Sequence, residues 1–286
     1  MARSTSHSSQ AQAAAQDAAN SRWVEILARL GYAAKGVVYL IIGVLAVQLA
    51  WGGGGQITGG QGALHTIAGQ PFGQALLWLM VIGLFGYVVW RFVQSVMDVE
   101  HCGSDGKGIA KRVAQAVSGV VYGSLAIYAA KLALGSGGGG GGSTESRTAS
   151  LMSNTWGVWL VGLIGVIVIG YGLRQLYHAY QVDFTKRLVT SEMSSTERTW
   201  AIRIGRFGLA ARGVVLMMIG WFFIQAAITH DPSQARGLDG ALAELAGTGY
   251  GPWVLGLVAL GLVAYGVYQL VLARYRRMPG GSPGGA

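Results

Sequence analysis

Residues 29–39 read Arg-Leu-Gly-Tyr-Ala-Ala-Lys-Gly-Val-Val-Tyr, and an apolar run follows them as far as Trp51. A related stretch begins at Arg112 and reads Arg-Val-Ala-Gln-Ala-Val-Ser-Gly-Val-Val-Tyr. A third begins at Arg206 and reads Arg-Phe-Gly-Leu-Ala-Ala-Arg-Gly-Val-Val-Leu. Each stretch opens a long apolar segment, and a second apolar segment follows it. The pattern predicts a chain of three units with two membrane spans each.

Six segments are long and apolar enough to cross a bilayer, which takes about 20 residues for about 30 Å of hydrocarbon. Only 12% of the 286 residues are charged, which is too few to cover the surface of a soluble globular protein. Because a lone strand cannot satisfy its backbone hydrogen bonds in lipid, we expect an all-α integral membrane protein. The expected spans are 30–51, 72–96, 113–134, 156–177, 207–229 and 251–273.

The basic residues are distributed unevenly between the two sides of the membrane. Of the 21 lysines and arginines, 18 fall on the side that holds both termini, and only Lys131, Arg147 and Arg236 fall on the other. The positive-inside rule therefore predicts that both termini are cytoplasmic. This topology also explains the net charge of +9, so we expect no nucleic-acid partner. The expected partner is the bilayer, with anionic headgroups on the cytoplasmic side, and the sequence identifies no protein partner.

The three units keep one register. A shift of 84 residues places Tyr87 on Tyr171, and a further 94 places it on Tyr265. Two spans per unit make the units parallel, and a pseudo-threefold six-helix bundle is more compact than the alternative, a row of three hairpins. The expected repeats are 22–100, 101–183 and 184–277, between tails at 1–21 and 278–286 that we expect to be disordered.

The outer loops of units one and three share Gly-Ala-Leu, at 62–64 and 240–242, and are expected to be short amphipathic helices. Leu238, Leu242 and Leu245 would share one face, and Asp239 is expected to cap the helix start. The loop of unit two departs from this sequence.

The order of the units, the Arg-x-Gly opening and the Gly-Ala-Leu outer loop together resemble a bacterial membrane family catalogued as domain of unknown function 1206. The resemblance covers about residues 22–277. It implies a multi-pass protein of the bacterial inner (plasma) membrane. It carries over no catalytic residue to this chain.

Each second span repeats a tyrosine and, four residues later, a residue with a long polar side chain. Residues four apart share one face of a helix, so each pair would face one direction. Two interpretations remain open: hydrogen bonding between packed helices, or a lined polar pathway. The pairs are Tyr87 with Arg91, Tyr171 with Gln175, and Tyr265 with Gln269.

The first spans repeat basic residues. Arg29, Arg112 and Arg206 are equivalent and are expected at the membrane surface, either as contacts to anionic lipid or as a ring around an anion vestibule. Lys35 and Arg212 are also equivalent and lie roughly 9 Å deeper at 1.5 Å per residue. Their side chains either reach back to the surface or form an interior site for an anionic group.

No nucleophile–base set, metal-ligand spacing or acidic residue within a span is found, so we expect no enzyme, no cofactor and no metal. The preferred function is a non-catalytic scaffold or partner of envelope proteins. The alternative is a channel or carrier for a small solute or anion. The rotation of the second spans separates the two, because a pathway requires the tyrosine faces to converge on the axis of the bundle.

Overall fold

A computed structural model of the chain describes residues 22–97, 106–136, 144–182 and 193–276. The six long helices are α1 (Arg22–Ala50), α3 (Gly73–Met97), α4 (Gly106–Ala133), α6 (Thr155–Gln181), α7 (Ser195–Thr229) and α9 (Gly251–Tyr275). All six are long and apolar enough to cross a membrane, as the sequence predicted. The tails expected at 1–21 and 278–286 lie outside the described residues.

One short α-helix lies between the two spans of each unit, and unit three also has a 3-10 helix at Pro232–Gln234. The short α-helices are α2 (Gly60–Ala68), α5 (Thr144–Met152) and α8 (Leu238–Ala246), and they start at equivalent positions in the three units. Unit two therefore keeps the helix although its loop sequence departs from the pattern. In α8, Leu242 and Leu245 are buried. The expectation that Asp239 caps α8 was wrong, because the helix begins one residue earlier and Gly237 is its N-cap.

The long helices form a ring in the order α1, α3, α4, α6, α7 and α9. Extensive interfaces join consecutive units, α3 to α4, α6 to α7, and α9 to α1. Within units one and three, α1 packs on α3 and α7 packs on α9. Across the described residues of unit two, however, α4 and α6 barely touch. The predicted all-α bundle of three repeated units is confirmed. Among its described helices the ring is open between α4 and α6, and we call this opening the seam.

Close approach of small residues holds the units together. A Cβ on Gly36 of α1 would lie 2.9 Å from the carbonyl oxygen of Gly266 on α9. The equivalent pair between α7 and α6 is Gly213 and Gly172, with the same 2.9 Å distance from the added Cβ to the carbonyl oxygen. Without an attractive hydrophobic effect between helices in lipid, such backbone contact provides much of the packing energy.

The seam has a cause in the sequence. In units one and three a glycine of the second span packs on an alanine of the first, Gly83 on Ala34 and Gly261 on Ala211. The equivalent residues of unit two are Ile167 and Val117, whose side chains are 53% and 54% exposed. Two branched side chains in place of glycine and alanine keep α6 away from α4.

We call the end of the ring with Arg29, Arg112 and Arg206 the basic end, and the end with α2, α5 and α8 the short-helix end. Every first span begins at the basic end and every second span returns to it. The polar residues of the interior are therefore layered between these two ends.

Candidate functional site

An inner cavity of about 240 Å³ lies in the ring toward the basic end. All six long helices contribute to its lining, which a row of hairpins would not allow. Among the described residues its lining contains no aspartate or glutamate. Six lysines and arginines line it: Lys35, Arg91, Lys111, Arg174, Arg212 and Arg276.

Lys35 is the most deeply placed of these cations, with only 3% of its surface exposed. Its Nζ donates a hydrogen bond of 3.1 Å to the hydroxyl oxygen of Tyr87. The same nitrogen lies 5.0, 4.8 and 5.5 Å from the ring centroids of Tyr87, Tyr122 and Tyr265. Each such cation–π contact contributes about 0.5–2 kcal/mol, so tyrosines partly replace the water that the ammonium lost. They do not neutralise its charge.

Arg91 approaches the same tyrosine from α3. Its guanidinium donates to the hydroxyl oxygen of Tyr87 at 2.8 Å from Nε and 2.6 Å from the second terminal nitrogen. The first terminal nitrogen donates to Oε1 of Gln94 at 3.1 Å. One hydroxyl oxygen thus accepts hydrogen bonds from both Lys35 and Arg91. Two positive charges are held close together by a neutral group.

Arg212 of α7 occupies the position equivalent to Lys35. Its Nε donates to the hydroxyl oxygen of Tyr39 at 3.2 Å. Its guanidinium carbon lies 5.8 Å from the ring centroids of Tyr39 and Tyr171, and 5.0 Å from that of Tyr265. Lys35 and Arg212 therefore both contact Tyr265, and three cations surround the axis of the ring.

Several polar side-chain atoms that line the inner cavity are buried without a hydrogen-bond partner among the described residues. They are the hydroxyl of Tyr32, both amide atoms of Gln175, and Oε1 of Gln269. Gln175 is 5% exposed and Gln269 is 3% exposed. An unmade hydrogen bond of this kind costs about 1–3 kcal/mol, which favours a polar occupant of the cavity.

An outer vestibule of about 690 Å³ opens at the short-helix end, and Tyr39 and Tyr122 line it. The two cavities share no lining residue. Between them lies what we call the central layer: Lys35, Tyr39, Tyr87, Tyr122, Arg212 and Tyr265. Its rings are closely packed, with centroids 4.8 Å apart for Tyr39 and Tyr265 and 4.8 Å apart for Tyr87 and Tyr122.

Charged residues of both signs surround the vestibule: Glu145, Arg147, Arg236 and Asp239. Nearby, hydrogen bonds from the hydroxyl and backbone N–H of Ser233 hold the pKa of Asp231 below its ordinary value. The two cavities therefore differ in charge, one basic and one mixed.

Comparison with known proteins identifies the family of the chain. The family model described as Domain of Unknown Function (DUF1206) matches residues 30–98, 113–181 and 207–276. The chain belongs to this family. It is also 37% identical over 256 residues to "Uncharacterized protein YxxB" of Bacillus subtilis (strain 168), covering 90% of this chain and 92% of that protein. No solved structure matches the chain.

In this DUF1206 chain, most of the candidate polar-pathway residues lie together. Arg91, Tyr171, Gln175, Tyr265 and Gln269 all line the inner cavity. Tyr87 is fully buried beside it, beneath Lys35 and Arg91. The tyrosine faces of the second spans therefore converge on the axis of the ring.

The two groups of basic residues predicted from the first spans lie in different parts of the structure. Lys35 and Arg212 point into the interior, whereas Arg29, Arg112 and Arg206 do not line the inner cavity. Each of these three binds carbonyls near the end of the neighbouring second span, where a cation interacts favourably with the helix dipole. Arg29 donates to the carbonyls of Ala273 and Arg274, Arg112 to those of Ser95 and Val96, and Arg206 to that of Ala179. Their contact with anionic lipid stays a prediction.

Sequence reasoning missed Tyr39 and Tyr122 of the central layer. A usable pattern was present, because they lie four residues after Lys35 and Ser118 on the same helix face. It also counted Lys111 and Arg174 only as orientation markers, although both line the inner cavity. Within the part of the chain that the structure describes, no three His, Cys, Asp or Glu side chains are placed together to hold a metal ion.

Proposed function

We propose that this protein binds an anion in the inner cavity and passes it across the membrane. The observation that carries the proposal is the set of three cations, Lys35, Arg91 and Arg212, at the centre of a bundle whose described interior holds no carboxylate. Removing one ion from water costs several kcal/mol in a protein interior. An anion entering the cavity would recover part of that free energy.

The partners of the three cations support an anion as occupant. Tyrosine hydroxyls and rings hold the cations in place without neutralising them. A carboxylate in the same position would have formed an internal ion pair and left nothing for a ligand. The amide of Gln175 and the hydroxyl of Tyr32 add hydrogen-bond donors suited to anion oxygens.

The two cavities support passage rather than binding alone. They approach the central layer from opposite ends, and the packed tyrosines of that layer separate them. A carrier or gated channel would alternate the access of the anion between the two cavities by rearranging these side chains. In the orientation expected from the positive-inside rule, the inner cavity faces the cytoplasm.

A scaffold was the function preferred from sequence, because catalytic motifs are missing. That preference expected a centre packed by glycine and leucine. The polar axis instead supports the alternative, a channel or carrier for a small solute or anion.

The proposal is tested with the purified full-length protein in detergent. Equilibrium dialysis with radiolabelled phosphate, sulfate and chloride measures binding. Arg212→Gln removes a central cation, and Arg203→Gln removes an exposed arginine that lines neither cavity. We expect Arg212→Gln to weaken binding by at least about tenfold and Arg203→Gln to leave it within about twofold.

Efflux of the bound anion from proteoliposomes measures passage. Vesicles that contain the wild-type protein should release the anion faster than protein-free vesicles and faster than vesicles that contain the Arg212→Gln variant. A folded wild type that binds none of the three anions, or an Arg212→Gln variant that binds as well as the wild type, would overturn the proposal.

A further inference from the structure

We propose that the seam between α4 and α6 is a side entrance from the bilayer, through which the phosphate headgroup of an anionic lipid reaches the inner cavity. This inference rests on the proposed function, since it names the class of anion for the same cavity. It is carried by the opening of the ring at one place and by the chemistry on the two sides of that opening.

The seam is specific to unit two. Where unit one packs Gly83 on Ala34, unit two has the branched pair Ile167 and Val117, each about half exposed. A Cβ added to Gly170, on the same helix as Ile167, would meet no atom within 4 Å. At the equivalent Gly86 of unit one, an added Cβ would collide with the backbone of α1. The opening therefore lies along the line where the other two units are closed.

Polar residues from both sides of the seam reach the inner cavity at the basic end. Lys111 comes from α4, and Tyr171, Arg174 and Gln175 come from α6. Gln175 is 5% exposed, and neither of its amide atoms has a hydrogen-bond partner among the described residues. Two cations and a buried, unpartnered amide at one opening suit the non-bridging oxygens of a phosphate group.

Farther from the basic end the sides of the seam become apolar. Val117 lies six residues beyond Lys111 along α4, and Ile167 lies seven residues before Arg174 along α6, so both are deeper in the membrane. A polar, basic site near the membrane surface is thus followed, at hydrocarbon depth, by exposed apolar side chains on both sides of the seam. That order of polar and apolar surface matches a headgroup followed by an acyl chain.

The volume of the cavity fits only the headgroup. About 240 Å³ holds a phosphate with its glycerol, but not two acyl chains, which must stay at the seam or in the bilayer. A freely dissolved anion has no need for an apolar entrance. The seam therefore favours a lipid as the source of the phosphate.

The test reconstitutes the full-length protein into nanodiscs of phosphatidylcholine with a minority of phosphatidylglycerol. The protein is then extracted, and its retained lipids are counted by native mass spectrometry. Ile167→Trp fills the seam. The double variant Val117→Ala/Ile167→Gly gives unit two the alanine and glycine of its neighbours and should let α4 close on α6. Leu173→Trp is the control, because Leu173 is exposed and lies about 120° around α6 from Ile167.

The wild type should retain phosphatidylglycerol over phosphatidylcholine by at least about tenfold. Both seam variants should lose this preference, and Leu173→Trp should keep it. No preference in the wild type, or an equal preference in Ile167→Trp and Leu173→Trp, would overturn the inference. Dialysis with inorganic phosphate on the same variants separates this failure from that of the proposed function, because phosphate binding that depends on Arg212 would persist.

Discussion

The ammonium of Lys35 and the hydroxyl of Tyr87 meet at 3.1 Å in the middle of the bundle, and the guanidinium of Arg91 donates to the same oxygen. Two cations on neighbouring helices thus share one neutral acceptor. Two like charges that bind the same oxygen repel each other, and they do so more strongly in a protein interior than in water. The arrangement is therefore costly without an anion, and this cost has measurable consequences.

Lys35→Met should stabilise the protein and weaken its anion binding. Methionine fills a similar volume, and Tyr87 keeps its hydrogen bonds from Arg91, so no polar group is orphaned. Removing a buried cation that has no carboxylate partner should raise the free energy of unfolding by about 1 kcal/mol or more. Thermal unfolding in detergent and phosphate dialysis measure the two effects. Lys131→Met, at an exposed site, should change neither, and a lower unfolding midpoint for Lys35→Met would contradict the expectation.

Tyr87→Phe should destabilise the protein by about 2–3 kcal/mol. The change removes the acceptor shared by Lys35 and Arg91 and leaves the buried ammonium of Lys35 without it. Tyr250→Phe is the control, since Tyr250 is 79% exposed and its change should fall within about 0.5 kcal/mol. In the Lys35→Met background, Tyr87→Phe should cost less, because one of the two donors is already gone. Equal costs in the two backgrounds would show that Lys35 and Tyr87 are not coupled.

Gly31→Ala and Gly170→Ala should have opposite effects on stability. An added Cβ at Gly31 would lie 2.6 Å from the backbone of Tyr87, so α1 and α3 must separate. At Gly170 it would meet nothing within 4 Å, and alanine should gain about 0.5–1 kcal/mol from its greater helix propensity. Thermal unfolding compares the two variants. If Gly170→Ala is as harmful as Gly31→Ala, then α4 packs on α6 and the seam is closed.

Single cysteines should react from different sides of the membrane. In a Cys102→Ser background, Gln175→Cys lines the inner cavity and Ser124→Cys lines the outer vestibule. A small charged thiol reagent that cannot cross the membrane should label position 175 only from the cytoplasmic side of inverted vesicles. It should label position 124 only from the outside of intact cells. The reverse pattern would invert the expected orientation, and labelling of both from one side would contradict the separation by the central layer.

Much of the candidate site could be predicted from the threefold sequence repeat. The equivalence of Tyr87, Tyr171 and Tyr265, and that of Lys35 and Arg212, came from aligning the units, and helical periodicity then put the polar residues on shared faces. What periodicity does not provide is the rotation of each helix about its own axis. For this reason the sequence left two interpretations open for Tyr171 and Gln175, hydrogen bonding between helices and a lined pathway.

The residues in which unit two differs from its neighbours could be seen in the sequence, but their effect on packing could not be predicted from it. Val117 and Ile167 are ordinary residues for a membrane span, and nothing local marks them as unusual. They become informative only when Ala34 and Gly83 are seen in contact, because the same two positions then predict a gap. Arg29, Arg112 and Arg206 are a similar case, since their carbonyl partners belong to helices distant in sequence.

Taken alone, the sequence determined the number of spans, their helical state, the threefold repetition and the short helices of units one and three. These follow from hydrophobic length, from the backbone's need for hydrogen bonds in lipid, and from internal register, all of which act along the chain. Tertiary structure alone decided that three cations meet around Tyr265 and Tyr87, that two cavities face each other across the central layer, and that the ring opens between α4 and α6. Those relationships depend on which helix faces approach within a few ångströms, and that is settled by packing between residues far apart in the chain.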